Sequence, residues 1–146
     1  MRKIKIVIFI IVALTFVLAA CGGSGANDLR DTAWELASLS GRGLLPGTSI
    51  TIEFSVDEVS GSAGCNHYGG SYQVSGNGLT MRDVFWTEMG CPEPQGILEQ
   101  EGVYFAALNV ADSYQLASDQ LEIFDEAGGR VLVFVTPAGG STSHLH

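Results

Sequence analysis

Along most of the chain from Thr32 to Thr136, apolar and polar residues alternate in short runs. A period of two is that of strands with one face buried. Ile50–Phe54 is the cleanest case, with Ile50, Ile52 and Phe54 on one face. In Thr32–Leu39 the same period sets Trp34, Leu36 and Ser38 on one face and Ala33, Glu35, Ala37 and Leu39 on the other. Further strands are predicted at Glu58–Ala63, Ser71–Ser75, Leu79–Val84, Phe85–Met89, Ser113–Leu116, Gln120–Phe124 and Val131–Thr136. Turn residues punctuate them at Pro46-Gly47, Ser60-Gly61, Gly69-Gly70, Gly76-Asn77-Gly78 and Gly128-Gly129. The last pair predicts a tight hairpin, because glycine accepts positive φ. One segment follows another rhythm. Within Gln95–Val110, Ile97, Leu98, Tyr104, Phe105 and Leu108 recur at helical spacings, with Ala107 on the flank and Glu101 on nearly the same side. One amphipathic helix among about eight strands predicts an α+β fold: a small curled antiparallel β-sheet or barrel, closed or plugged by that helix.

The front of the chain is different again. Arg2, Lys3 and Lys5 precede Ile6–Ala20, an uncharged run of fifteen residues. As a helix it would span about 22 Å, short of a hydrocarbon core of about 30 Å. A basic segment, an apolar stretch and small residues make residues 1–20 an expected export signal. Leu18-Ala19-Ala20-Cys21 is similar to the lipobox of bacterial lipoproteins, which implies cleavage before Cys21 and diacylglycerol, with palmitate-like acyl chains, on its thiol. Two or more such chains anchor a protein stably, where one is marginal. Residues 21–28 then read as a lipidated flexible tether, 29–137 as one domain, and 138–146 as a disordered tail.

Charge narrows the partners. The chain has seven basic and sixteen acidic residues. Without the three basic residues of the signal, four arginines face those sixteen carboxylates, a formal charge of −12. Such a balance excludes nucleic acid as a partner class, since phosphate must be neutralised by Lys and Arg. The membrane is reached through the lipid on Cys21, not through a basic surface.

Few residues offer chemistry. Cys65 and Cys91 form an even pair in an expected exported domain, which favours a disulfide. Two alternatives stay open: a reactive thiol pair, and a metal site in which Cys65, His67 and Cys91 are joined by His144 or His146. The tail histidines and the Cys-x-His spacing suit a metal poorly, so no metal or cofactor is expected. No nucleophile elbow, zinc-protease motif or phosphate loop is present. Glu99 and Glu101 lie two apart on a helix and so diverge. A Glu101 turned toward the barrel would accept hydrogen bonds from buried loop amides or hydroxyls.

Several runs, taken together in their order and spacing, resemble the META domain of HslJ-like bacterial lipoproteins. They are Asp31-Thr32-Ala33-Trp34-Glu35-Leu36, Val59 to Tyr72 (VSGSAGCNHYGGSY), Thr87-Glu88-Met89-Gly90-Cys91, the helix residues Glu101, Tyr104, Phe105 and Leu108, and Gln120-Leu121-Glu122-Ile123. The opening departs from the family pattern by Ala33, which separates Thr32 from Trp34. The resemblance covers about Leu29 to Phe134. It implies a compact β-barrel with one helix, a cell-envelope setting and indirect links to stress, but no established reaction. Its motif residues, Gly64, Asn66, Tyr72, Thr87 and Glu101, read as a folding device around the cysteines. Gly64 and Asn66 suit positive φ on either side of Cys65, and Thr87 is placed to serve the same loop.

The resulting expectation is a monomeric, non-enzymatic, lipid-anchored envelope protein that binds or supports another envelope component, with a role under stress. The alternative is a carrier of a small apolar ligand, with Trp34, Tyr72, Phe85, Trp86 and Phe105 lining a barrel cavity. An envelope enzyme using His67, Glu88 and Glu101 is the third reading.

Overall fold

A computed structural model describes residues 28–139. The expected signal, Cys21 and tail, including His144 and His146, lie outside or almost wholly outside that range. The strands are β1 (Thr32–Leu39), β2 (Thr51–Phe54), β3 (Glu58–Ser62), β4 (His67–Ser75) and β5 (Gly78–Trp86), then β6 (Ala111–Leu116), β7 (Gln120–Asp125) and β8 (Arg130–Val135). A helix, α1 (Ile97–Asn109), stands between β5 and β6. Each strand pairs antiparallel with its sequence neighbour, and β8 returns to β1, so the sheet closes into an eight-stranded barrel. This is the α+β barrel that the alternation predicts.

The up-and-down order gives the barrel two distinct rims. The lower rim carries the β2–β3, β4–β5 and β6–β7 turns and both ends of the described chain. The upper rim carries the 40–50 loop, the 63–66 loop, the β7–β8 turn and α1. Inside, Leu36, Ile50, Ile52, Phe54, Leu79, Leu108, Leu121, Ile123, Leu132 and Phe134 are almost fully buried. At roughly 1.5–3 kcal/mol for each buried large apolar side chain, this packing is the main force closing the barrel. Thr32 and Trp34 start β1 together: the indole Nε1 donates to Thr32 Oγ1 at 2.8 Å, and that hydroxyl donates to Leu29 O at 2.5 Å.

Four departures from the sequence pattern have local causes. In β1 the register against β8 slips between Leu36 and Ser38. This bulge reverses the alternation, so Leu39 is buried on the side of Trp34 and Leu36, not opposite them. Gly69-Gly70 is not a turn but lies within β4, where a second slip occurs against β5. A Cβ on Gly69 would stand 2.8 Å from Phe85 Cζ, and one on Gly70 3.0 Å from Arg82 O, so glycine there admits a crossing neighbour. Ser60-Gly61 is likewise strand, in β3. Finally, Leu79–Val84 and Phe85–Met89 are not two strands. Gly78–Trp86 is continuous, bent at Asp83 with φ 51°, and residues 87–89 leave the sheet. The β7–β8 hairpin turns as expected, with Gly128 at φ 81°.

The barrel is sealed unevenly. β4 and β5 pair along most of their length, whereas β5 and β6 share one pair, Gly78 with Ser113, plus the bond from Tyr114 N to Asn77 O. Above that point α1 faces β5 across a groove.

Candidate functional site

The motif residues meet at the upper rim. The short loop between β3 and β4 closes on itself: Ala63 N donates to Asn66 O at 2.8 Å, and Gly64 takes φ 110°. Only glycine adopts that conformation readily. Asn66 is not in the left-handed region, contrary to the sequence expectation; its side chain, not its backbone, is what the position uses.

Glu101 reaches this loop from α1 and is itself buried, at 4 % exposure. Its Oε2 accepts Asn66 N at 2.7 Å and Cys65 N at 3.2 Å, while Oε1 accepts Asn66 Nδ2 at 2.5 Å. The other end of the Asn66 amide is equally engaged. Asn66 Oδ1 accepts Thr87 Oγ1 at 2.8 Å and Met89 N at 2.7 Å, and Asn66 Nδ2 also donates to Met89 O at 3.4 Å. Thr87 in turn accepts His67 N on its hydroxyl and donates its own N–H to His67 O. These bonds leave one orientation for the Asn66 amide, with its oxygen toward 87–89 and its nitrogen toward Glu101. A disulfide between Cys65 and Cys91, with Cα atoms 5.9 Å apart, joins the same two segments covalently. The three-dimensional result is a knot of three chain segments around one carboxylate and one amide.

Directly beneath, Tyr68 and Tyr104 meet hydroxyl to hydroxyl at 2.6 Å. Tyr68 donates to Thr51 O at 2.8 Å, which leaves Tyr104 as donor to Tyr68. Burial pushes both phenols above their ordinary value. For Tyr104 the neighbouring Tyr68 raises it further, whereas the bond from Tyr104 partly lowers Tyr68. No buried side-chain nitrogen or oxygen among the described residues lacks a hydrogen-bond partner.

The structure brings Gly64, Cys65, Asn66, Thr87, Cys91 and Glu101 together. It does not bring Tyr72 to them: Tyr72 lies lower in the barrel, its ring edge-on to Phe54 at 4.9 Å and its hydroxyl donating to Ser55 O. His67 opens β4 and is exposed, and Glu88 is exposed on the segment after β5. Cys65 and Cys91 bind one another, and no group of three metal-ligating side chains occurs among the described residues. The five aromatics proposed to line a cavity divide. Trp34 and Tyr72 are interior, but Phe85 is 69 % and Trp86 47 % exposed. Trp86 stacks on Phe105 of α1 at 4.4 Å, outside the sealed core.

Sequence reasoning missed the Tyr68–Tyr104 pair and the Trp86–Phe105 stack. Tyr104 follows Glu101 by three on one helix face, a signal that both serve the same rim. The stack had none, because continuous strand through Trp86 was not expected.

Solved structures share this architecture. An NMR structure of a protein from Burkholderia xenovorans is similar at 29 % identity and a TM-score of 0.59, covering 75 % of this chain and 84 % of that one. A second NMR structure, at 23 % identity and a TM-score of 0.60, covers 75 % and 92 %. A crystal structure of a DUF4847 family protein from Bacteroides vulgatus has the fold at 16 % identity, with a TM-score of 0.52 over 78 % and 98 % of the two chains. No curated protein matches. The META domain matches over residues 27–138, which span the barrel, the helix and the knot; this chain belongs to the META domain family.

Proposed function

We propose that this protein is a lipid-anchored, extracytoplasmic component of the cell envelope that binds another envelope protein and performs no catalysis of its own. The observation that carries the binding role is a contrast on the upper half of the barrel. The buried carboxylate and amide of the motif are consumed by bonds that hold the fold together. Beside them Phe85, Trp86 and Met89 stand about half or more exposed. Large apolar side chains left outside on a small domain mark a recognition surface. The anchor rests on the run ending at Cys21, and the disulfide suits an oxidising compartment. Residue 28 leaves from the lower rim, so a tether from Cys21 would hold the aromatic surface away from the bilayer. Support of a partner under stress is the physiological role we assign to this binding.

The test uses the full-length protein in bacterial cells. Alkyne-palmitate should label the wild type and not Cys21→Ser, which should leave the membrane fraction. A photo-crosslinking amino acid at Phe85 should capture a defined envelope protein, while one at Glu53, exposed on β2, should not. An unlabelled wild type would overturn the anchor. Equal capture from both positions, or none from Phe85, would overturn the binding role.

A further inference from the structure

The weak seam between β5 and β6 has a second aspect. Above Gly78, β5 is bonded to β4 on one side and has no strand on the other. A groove of about 450 Å³ runs between this edge and α1, lined by Met81, Asp83, Val84, Trp86, Gly102 and Phe105 among others. The Trp86–Phe105 stack walls its upper end. At Gly102 a Cβ would meet nothing within 4 Å, so the helix wall is open where the groove runs past it. Unpaired N–H and C=O groups on a strand edge are a template for another extended chain. A register slip against β4 and the positive φ at Asp83 fall within this stretch of β5, and bulges of this kind recur next to binding sites.

Charge says which chain would fit. Asn109 ends the groove and also lines a second cleft, carrying Asp112, Asp125 and Glu126. With Asp83 the continuous path bears four carboxylates against one cation, Arg82. A second copy of this acidic domain would be repelled there. We propose that the groove takes an extended, cationic segment of a partner protein, which adds as a strand to the free edge of β5. Its apolar side chains would meet Trp86 and Phe105, and its basic ones the acids beyond Asn109. Strand addition draws affinity from main-chain bonds and specificity from the flanking pockets. This inference rests on the binding role proposed above and names its surface and its partner's chemistry.

The probe is a ten-residue peptide alternating lysine with valine, compared with its glutamate counterpart and with a version carrying central proline. It is titrated into the disulfide-bonded domain while amide NMR signals are followed. The lysine peptide should shift Thr80–Trp86 and α1 signals and slow amide exchange along β5. The glutamate and proline peptides should bind at least about tenfold more weakly, by charge and by the missing donor. Gly102→Leu fills the groove from a helix position that favours leucine, so the variant should melt no lower than wild type and lose at least about tenfold in affinity. Absence of lysine-peptide binding, shifts confined to another face, or unchanged affinity in Gly102→Leu would overturn the proposal. So would a concentration-dependent dimer abolished by Gly102→Leu, since the occupant would then be a second copy. A partner captured in cells by both wild type and Gly102→Leu would overturn the groove alone and leave the envelope-binding role standing.

Discussion

Replacing Glu101 by Gln keeps the shape of the side chain and changes only its hydrogen-bonding character. In the wild type the carboxylate accepts three bonds, from Cys65 N, Asn66 N and Asn66 Nδ2. A glutamine oxygen in the Oε2 position would keep both backbone bonds but without charge assistance, a loss of about 1 kcal/mol each. Its NH2 would then face Asn66 Nδ2, donor against donor. Asn66 cannot flip to relieve this, because its Oδ1 already holds Thr87 Oγ1 and Met89 N. One buried donor is left unsatisfied, at about 1–3 kcal/mol. The amide is easier to desolvate than the carboxylate, which offsets part of the loss. The balance is a destabilisation of about 3 kcal/mol, a drop in Tm of about 12–25 °C for a domain of this size. Urea unfolding of the disulfide-bonded protein, followed by circular dichroism, reads it directly. A loss under about 1 kcal/mol would refute the claim that Glu101 anchors the knot, and would reopen a role in chemistry.

Cys91→Ala removes the covalent half of the same knot; with the cysteines 26 positions apart, chain entropy gives a loss of about 3.5 kcal/mol in urea unfolding, and wild type in reductant should match it. The two buried phenols make the fold alkali-sensitive. Their folded pKa values lie above the ordinary 10.0, so their contribution is whole below pH 10 and is lost as pH rises toward the folded values. Stability should fall by about 2.7 kcal/mol per pH unit above 10 from this pair, and Tyr104→Phe should roughly halve that slope in urea titrations between pH 8 and 11.5. Gly61→Ala should cost about 2–4 kcal/mol, because its Cβ would stand 2.1 Å from the backbone oxygen of Thr51. Gly69→Ala should cost much less, since the atom it meets is the tip of exposed Phe85; equal losses in paired thermal melts would contradict this reading.

The fold was legible where one face of an element is buried without interruption. Ile50, Ile52 and Phe54, or Gln120–Phe124, declare their strands because alternation and core coincide. The reading failed where the ladder slips, at Leu36–Ser38 and Gly69–Ser71, because a bulge changes which residues face inward without changing composition. Leu98 shows a related limit: it has helical spacing yet stays 45 % exposed, since α1 packs on the rim through Ile97, Glu101, Tyr104, Ala107 and Leu108 instead. The knot was half legible. A carboxylate on an apolar helix face signals a buried acceptor, and two cysteines signal a bond. That Asn66 orders both, through its side chain, depends on Met89 backbone atoms that carry no mark in the sequence.

The placement of both described chain ends on the lower rim has a mechanical consequence. β1 and β8 are antiparallel neighbours, and residues 28 and 137 leave them at the same end. Force applied between those two ends would unzip the β1–β8 ladder one bond at a time, the weaker direction for bonds that lie perpendicular to the strands. Force applied between residue 28 and a partner held at β5 would instead pull along β1 and load its bonds to β2 and β8 in parallel. Such a barrel yields readily when drawn by its own termini and resists when it links an anchor to a load.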